Sequence, residues 1–534
     1  MEINGIAHTL VTVSNYDACR AFYAQLLPFL GLRPVFDSPW RRYLSGTAAY
    51  SATLQVREGR TRISVESPLR GISSALPAPL AKSAPDALPL RIEVVPADGG
   101  ARDRISLTLG RLAAVEFDLQ RQGEAMVVQK RAIWLTPSPG QPVRLPEQPG
   151  TLVYGSLAAL NIDRWIALAS GDGGGGAVAI DLDVKIGALD VYGKRINEVS
   201  MRGAVDGAGW SVMLTARELA GNLSHRSGQL IARLTHLQVP EDYPGAKPQE
   251  ISQPKDLPAV DLITERFIYH ERELGRVEVV AQPAGEDWRL EKLAWVSPEA
   301  SLTGKGIWRP GSPSRTSADF ELNAADCGKF LERVGYANLV KGGKARLQGS
   351  LAWNGDPLAI DYPSLAGHVQ MQAEDGQFLE VDPGLGKLVS LMSLQALPRR
   401  LTLDFRDVFS KGFQFDRIAA DAQIDHGLMA IKEFRMRGSA AQVEMSGEVD
   451  LANETQNLRV RVVPSLGDSA STVLAFLNPL LVFPAALAQR ILKDPLGHIF
   501  AFDYSITGTW DDPKVAKMGV NATRLNDEVV PDGK

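Results

Sequence analysis

One pattern constrains this chain more than any other: apolar residues recur at every second position, over and over, along most of its length. Between 178 and 186, Val178, Ile180, Leu182, Val184 and Ile186 alternate with Asp181, Asp183 and Lys185. Successive side chains of a strand point to opposite faces, so this spacing makes one face apolar and the other wetted. The same rhythm returns at Ile105, Leu107 and Leu109, at Val115, Phe117 and Leu119, at Leu401, Leu403 and Phe405, and at Leu458, Val460 and Val462. It predicts a mainly β chain of many antiparallel, amphipathic strands. Two architectures satisfy it: one long curved sheet whose apolar face lines a trough, or two sheets closed into a sandwich without a cavity. Alternation leaves both open.

A weaker repeat punctuates the strands. LTGKGIW at 302–308, LQGSLAW at 347–353, MSGEV at 445–449 and ITGTW at 506–510 each place a glycine inside a strand pattern, mostly ahead of a tryptophan. Strand glycines mark bends, bulges or close backbone approach, and a tryptophan beyond them can cover a sheet edge. Ordinary bending is one reading; a regular curvature that turns the sheet into a trough is the other.

Composition narrows the function classes. With 534 residues the chain exceeds what one hydrophobic core serves, and 45% apolar residues can bury substantial surface. A net charge of −5 argues against nucleic acid as a partner. Cys19 and Cys327 alone make neither a disulfide framework nor a thiolate metal cluster. The histidines His8, His225, His236, His270, His368, His426 and His498 are scattered, with no HExxH, no GxSxG and no CxxC. SGDGGGGA at 170–177 lacks the Lys and Ser/Thr of a phosphate loop and leads into a strand, so it reads as a flexible turn. Asp511 and Asp512 precede Pro513 in a turn, and Asp181 and Asp183 belong to a solvated strand face.

Breakers divide the chain. Proline-rich stretches at 76–90, 136–150 and 239–258 read as linkers or edge loops. A short helix fits Asp163 to Ala169, with Trp165 in the core. Leu385, Leu388, Val389, Met392 and Leu397 fit a helix that Pro398 ends. The uncharged stretch at 469–489 is long enough to cross a bilayer, but Pro479 and Pro484 interrupt it. It reads as bent short helices that cap a groove or touch a membrane surface through Val473, Leu474, Phe476, Leu477, Leu480, Leu481 and Phe483.

RRLTLDFRDVFSKGFQFD at 399–416, VEMSGEVDL at 443–451, LRVRVVPSLGDS at 458–469, ITGTWDDPKV at 506–515 and ESPLRGISSALPAPLAKSAPDALPLRIEV at 66–94 together resemble YhdP-type, AsmA-like envelope proteins over about residues 44–518. The resemblance implies an elongated, curved antiparallel sheet forming a groove, with a few helices near its C-terminal end. It implies a non-enzymatic function, phospholipid transport between inner and outer membranes and maintenance of the outer-membrane barrier, without a cofactor. Phospholipid and the two membrane surfaces or their proteins are the implied partners, and an inner-membrane-anchored place in the periplasm the implied location. The groove candidates are Val178, Ile180, Leu182, Val184, Leu401, Leu403, Phe405, Leu458, Val460 and Val462. An envelope scaffold without lipid cargo is the alternative.

The opening residues differ. MEINGIAHTLVTVSNYDACRAFYAQLLPFLGL resembles the first strand and helix of a vicinal oxygen chelate domain, a superfamily of metalloenzymes in which a strand histidine placed like His8 binds metal. The later modules that would supply further ligands are missing, and one imidazole falls short of a metal site. No signal peptide or N-terminal anchor is visible, so the chain reads as a fragment or chimera. The expected segments are 1–40, 44–258, 259–518 and a disordered tail at 519–534.

Overall fold

The computed structural model describes residues 5–11, 42–57, 60–97, 101–123, 125–169, 179–242, 254, 257–379, 413–439, 441–464 and 501–518. The expected helices at 17–30, 385–397 and 469–489, the glycine-rich turn at 170–177 and the tail lie outside these residues. The chain forms two compact units, Met1–Glu250 and Ile251–Lys534.

The first unit runs β1 (Gly5–Val11), β2 (Leu44–Gly46), β3 (Tyr50–Arg57), β4 (Arg60–Ser67), β5 (Ile72–Ser74), β6 (Leu90–Ala97), β7 (Arg102–Leu109), β8 (Ala113–Gln122), β9 (Ala125–Leu135) and β10 (Gly150–Asn161). Helix α1 (Ile162–Ala169) follows, then β11 (Ile180–Val191), β12 (Lys194–Asp206), β13 (Gly209–Thr215), β14 (Leu219–Arg226) and β15 (Gln229–Gln238). Apart from the small β2–β5 pair, these strands make one ladder in the order β1, β3, β4, β6 and onward to β15.

Antiparallel pairing holds throughout that ladder except at β10, which lies parallel to both β9 and β11. Parallel neighbours need a crossover of a dozen or more residues, and the chain supplies two. The first is the stretch containing Pro137, Pro139, Pro142, Pro146 and Pro149, whose missing N–H groups keep it from adding as a strand. It returns across the polar side of the sheet, where Lys130 Nζ donates to Glu147 O at 2.6 Å and Arg144 N to Tyr154 Oη at 2.8 Å. Arg144 lies over the Tyr154 ring at 5.0 Å, and Tyr154 stacks on Trp134 at 5.5 Å. The second crossover contains α1. Asn161 Oδ1 caps its start by accepting from Arg164 N at 3.0 Å, and the Asp163 carboxylate accepts from Tyr192 N and Gly193 N at 2.6 and 2.9 Å. Trp165, expected in the core, is half-buried; its Nε1 donates to Ala78 O at 3.1 Å.

The second unit is a meander: β16 (Ala259–Tyr269), β17 (Arg272–Ala284), β18 (Asp287–Val296), β19 (Ala300–Arg309) and β20 (Arg315–Ala324), then α2 (Cys327–Arg333) and β21 (Val340–Asn354). It continues with β22 (Ala366–Phe378), β23 (Phe413–Asp425), β24 (Leu428–Gly438), β25 (Ala441–Asp450), β26 (Thr455–Pro464), β27 (Phe502–Thr509) and β28 (Pro513–Met518). Every successive pair is antiparallel. In each unit the long strands thus share one uninterrupted ladder, and the second sheet a sandwich needs is not found among the described residues.

The glycine and tryptophan repeat finds its place in this meander. Trp308 and Trp353 are buried on either side of Thr316 in one cross-strand row, and Trp288 stands opposite Trp308. These residues flank the turns on one margin of the sheet, where Trp510 is buried too and its N–H donates to Glu454 O at 2.9 Å. Along the other margin, glycines leave room for rings: a Cβ at Gly376 would enter the Phe415 ring, and one at Gly438 would press on Phe413. Helix α2 adds buried Phe330 and Leu331 there, with Trp295 5.8 Å from Phe330.

Candidate functional site

Residues opposite one another in a ladder share a side of the sheet, so register alone traces which side chains form each face. In the first unit one row reads Ala52, Val65, Ile92, Leu107, Val115 and Ile133 across β3 to β9. It continues through Val153, Leu182, Gly203, Val212, Leu223 and Ala232 across β10 to β15. No charged residue interrupts it, even at β10, where the strands run parallel.

The second unit carries an equivalent row. It begins Leu262, Val279, Leu293, Gly304, Phe320, Gly349 and Val369 across β16 to β22. It then passes Ala422, Ile431, Gly447, Leu458, Ile506 and Val515 across β23 to β28. At a strand spacing of about 4.8 Å, each row extends roughly 50–60 Å along the contour of its sheet. Register shifts between β16 and β17, β18 and β19, and β24 and β25 leave the row unbroken.

Six of the expected groove residues lie on these faces. Ile180, Leu182 and Val184 project to the apolar side of β11, where Val184 is buried and the other two half-buried, while Lys185 between them and Ile186 is exposed. Leu458, Val460 and Val462 are buried on the apolar side of β26, with Val460 opposite Met445 and Tyr504. Val178, Leu401, Leu403, Phe405, Val473, Leu474, Phe476, Leu477, Leu480, Leu481 and Phe483 lie outside the described residues. His8 stands in β1 opposite Thr53. Among the described residues no three His, Cys, Asp or Glu are grouped as metal ligands, and no helix is long and apolar enough to cross a membrane.

Sequence reading missed β10 altogether. TLVYGSLAAL does not alternate because both of its sides are covered: Thr151 and Leu152, adjacent and on opposite faces, are both buried. A parallel strand buried on two sides reads as a continuous apolar run, and that run was the available signal.

The opposite faces are polar and held by side-chain pairs. In the second unit Asp421 accepts from Gln370 Nε2 at 3.0 Å and pairs with His368 Nε2 at 2.9 Å, and these bonds hold its carboxyl below the usual range. Glu278 is likewise lowered by Lys292 and Arg276, and Glu299 by a two-pronged contact from Arg333 at 2.7 and 2.8 Å. Two adjacent concavities of the second unit open on this polar side, one lined by Lys305, Asp319, Ser350 and His368, the other by Arg289, Lys305, Arg315 and Ser317. In the first unit Glu116 is pushed up by burial despite Arg104 at 3.1 Å. Burial also lifts the Cys327 thiol to about 11, which makes it an inert packing residue in α2.

This arrangement offers long apolar surfaces. Comparison with known proteins matches it to one family. The model of the YhdP protein family covers residues 6–515, a range that starts within β1 and includes the opening segment. The chain is 26% identical over 503 residues to the intermembrane phospholipid transporter YhdP of Escherichia coli strain K12. That alignment takes in 89% of this chain and 39% of the relative, so the chain spans about two fifths of the length of the protein it matches. No solved structure matches. With a family match across nearly its whole length, this chain belongs to the YhdP family.

Proposed function

We propose that this chain is a section of a non-enzymatic conduit that carries phospholipid between the inner and outer membranes of a bacterial envelope, with the apolar faces of its two units as the lipid path. The observation that carries this reading is the uninterrupted apolar row in each unit. Burying lipid methylenes against such a surface gains about 0.8 kcal/mol each, enough to retain a diacyl lipid. Because each strand offers a similar apolar step, a chain can slide between nearly equivalent positions. The relative's name, intermembrane phospholipid transporter, supports the same cargo. The reading needs no catalytic group. It places the protein in the periplasm, in contact with membrane surfaces or their proteins at the two ends of the complete conduit.

The test is native mass spectrometry with lipid extraction on the full chain exported to a bacterial periplasm. Phospholipid bound at defined stoichiometry is the expected outcome. A folded protein free of lipid would sink the conduit reading for this chain and favour an envelope scaffold.

A further inference from the structure

A cation stands among the apolar rows of the first unit. Arg131 lies in β9 directly opposite Phe117 of β8 and Thr151 of β10. The cross-strand row through it is otherwise apolar on both flanks: Ile63, Val94, Ile105 and Phe117 before it, and Ile180 beyond Thr151. The next position on the same side of β9 is Ile133, a member of the unbroken apolar row.

Among the described residues the guanidinium has no anion to answer it. Its carbon lies 5.5 Å from the centre of the Phe117 ring, which holds one flank by a cation–π contact. Its Nε is buried without a hydrogen-bond partner, and among the described residues no carboxylate pairs with it. Glu116 and Asp118 of β8 and Asp181 of β11 project to the other face by strand alternation, and Asp103 of β7, which shares the Arg131 side opposite Leu119, makes no ion pair with it. Arg131 is half-buried, and a buried donor left without a partner is costly, so an incoming acceptor would be favoured there. A forked guanidinium is the side chain best shaped to take two phosphate oxygens.

Its position also fits a headgroup. Arg131 is one row outside the apolar row of Ile133 and Val153, and its partner Thr151 is near the start of β10, toward one margin of the sheet. A phosphate held there would leave acyl chains free to lie along the rows through Ile133 and Leu135. We propose that Arg131 is a phosphate-binding residue on the lipid path, a station at which a phosphate-bearing diacyl lipid is held by its headgroup while its chains occupy the adjacent apolar rows. This rests on the conduit reading and gives it a point of chemical selectivity: a diacylglycerol with the same chains passes without engaging the station.

The experiment compares the full chain with Arg131→Gln and Arg131→Lys, each loaded with dioleoyl phosphatidylglycerol, with dioleoylglycerol, or with inorganic phosphate, and read by native mass spectrometry. The wild type is expected to retain both lipids. Arg131→Gln should lose retention of phosphatidylglycerol by about tenfold or more, the value of an ionic hydrogen-bonded contact, and keep dioleoylglycerol unchanged. Arg131→Lys, a point charge without the fork, should fall between. A thermal melt of Arg131→Gln no lower than wild type is expected, since an unpaired charge has been removed. Equal phosphatidylglycerol retention in wild type and Arg131→Gln overturns the inference while leaving the conduit intact. Loss of both lipids together overturns it in favour of a packing role, and saturation by inorganic phosphate alone would make it a free-phosphate site. A wild type that holds neither lipid fails the conduit reading and this station with it.

Discussion

The two units build the same kind of face by different routes. The second does so with an antiparallel meander of β16 to β28, each strand returning beside the last. The first inserts β10 between parallel neighbours and runs its proline-rich crossover over the polar side, where Ala132, Trp134 and Leu152 are buried. Yet the apolar row passes through β9, β10 and β11 without a break. The face is therefore a property of register and side-chain alternation, and strand direction is free to vary as long as register is kept. The difference lies in what stands on the face: aromatic rings over glycines in the second unit, an unpaired guanidinium in the first.

The most severe way to break the second unit is to put a charge into it. Val460 is 3% exposed, so Val460→Asp should cost about 4 kcal/mol or more, the scale of a buried unpaired charge. Leu182→Asp on the half-buried part of the first face should cost clearly less. Urea denaturation of both variants ranks them, and the reverse order would mean that the face at β26 is more open than that at β11.

Backbone at the parallel junction is the next point of contrast. Gly155 of β10 has φ +118°, and a Cβ there would collide with the Leu135 carbonyl of β9. Gly155→Ala should lose about 2 kcal/mol from conformational strain and overlap. Gly304 of β19 carries no such angle, and its added Cβ would sit 3.2 Å from Asp319 O, so Gly304→Ala should stay within about 1 kcal/mol of wild type. Thermal melts of the pair test whether the parallel insertion is the stricter of the two constructions.

These contrasts also mark what could be read from the residues alone. Alternation at 178–186 and 458–462 was legible because those strands have one dry and one wet side, and the structure puts Val184 and Val460 on the dry one. The tryptophans after the strand glycines were expected to cover a sheet edge, but Trp308 and Trp353 lie in β19 and β21, strands paired on both sides, and are buried near the strand ends. The choice between one ladder and a sandwich was not legible, since both produce the same period of two. Nor was the parallel pairing of β10, because the proline-rich crossover looks like any linker until its partner strands are known. Arg131 was invisible for a similar reason: in AMVVQKRAIWL a bulge shifts the register between Val128 and Lys130, and only the ladder shows which face position 131 takes.

A smaller effect concerns the crossover itself. Asp163 of α1 holds the turn between β11 and β12 through Tyr192 N and Gly193 N, and Tyr192 is at φ +49°. Asp163→Ala should cost about 1–2 kcal/mol, as for loss of a capping carboxylate. Hydrogen exchange should accelerate at 192 and 193 first. Unchanged protection there would mean that the hairpin holds its turn without α1.

The finest distinction between the units is their response to acid. Asp421 in the second unit is held below its ordinary value of 3.8 by Gln370 and His368, with Lys432 nearby. A depressed carboxyl contributes stability that is complete above 3.8 and lost as pH falls through the lower folded value. Asp421→Asn should therefore be less stable than wild type at pH 6, and the gap should close as pH falls below 3.8 through the lower folded value. Glu116 in the first unit behaves oppositely. Burial raises its pKa above 4.5, so its ionised form weakens the fold, fully so above the folded value and not at all below 4.5. Glu116→Gln should be the more stable protein at pH 7 and lose that advantage on acidification. Urea midpoints across pH 3–7 measure both slopes. If Glu116→Gln is instead destabilised at pH 7, the Arg104 contact outweighs burial, and the polar side under the crossover is wetter than its packing implies.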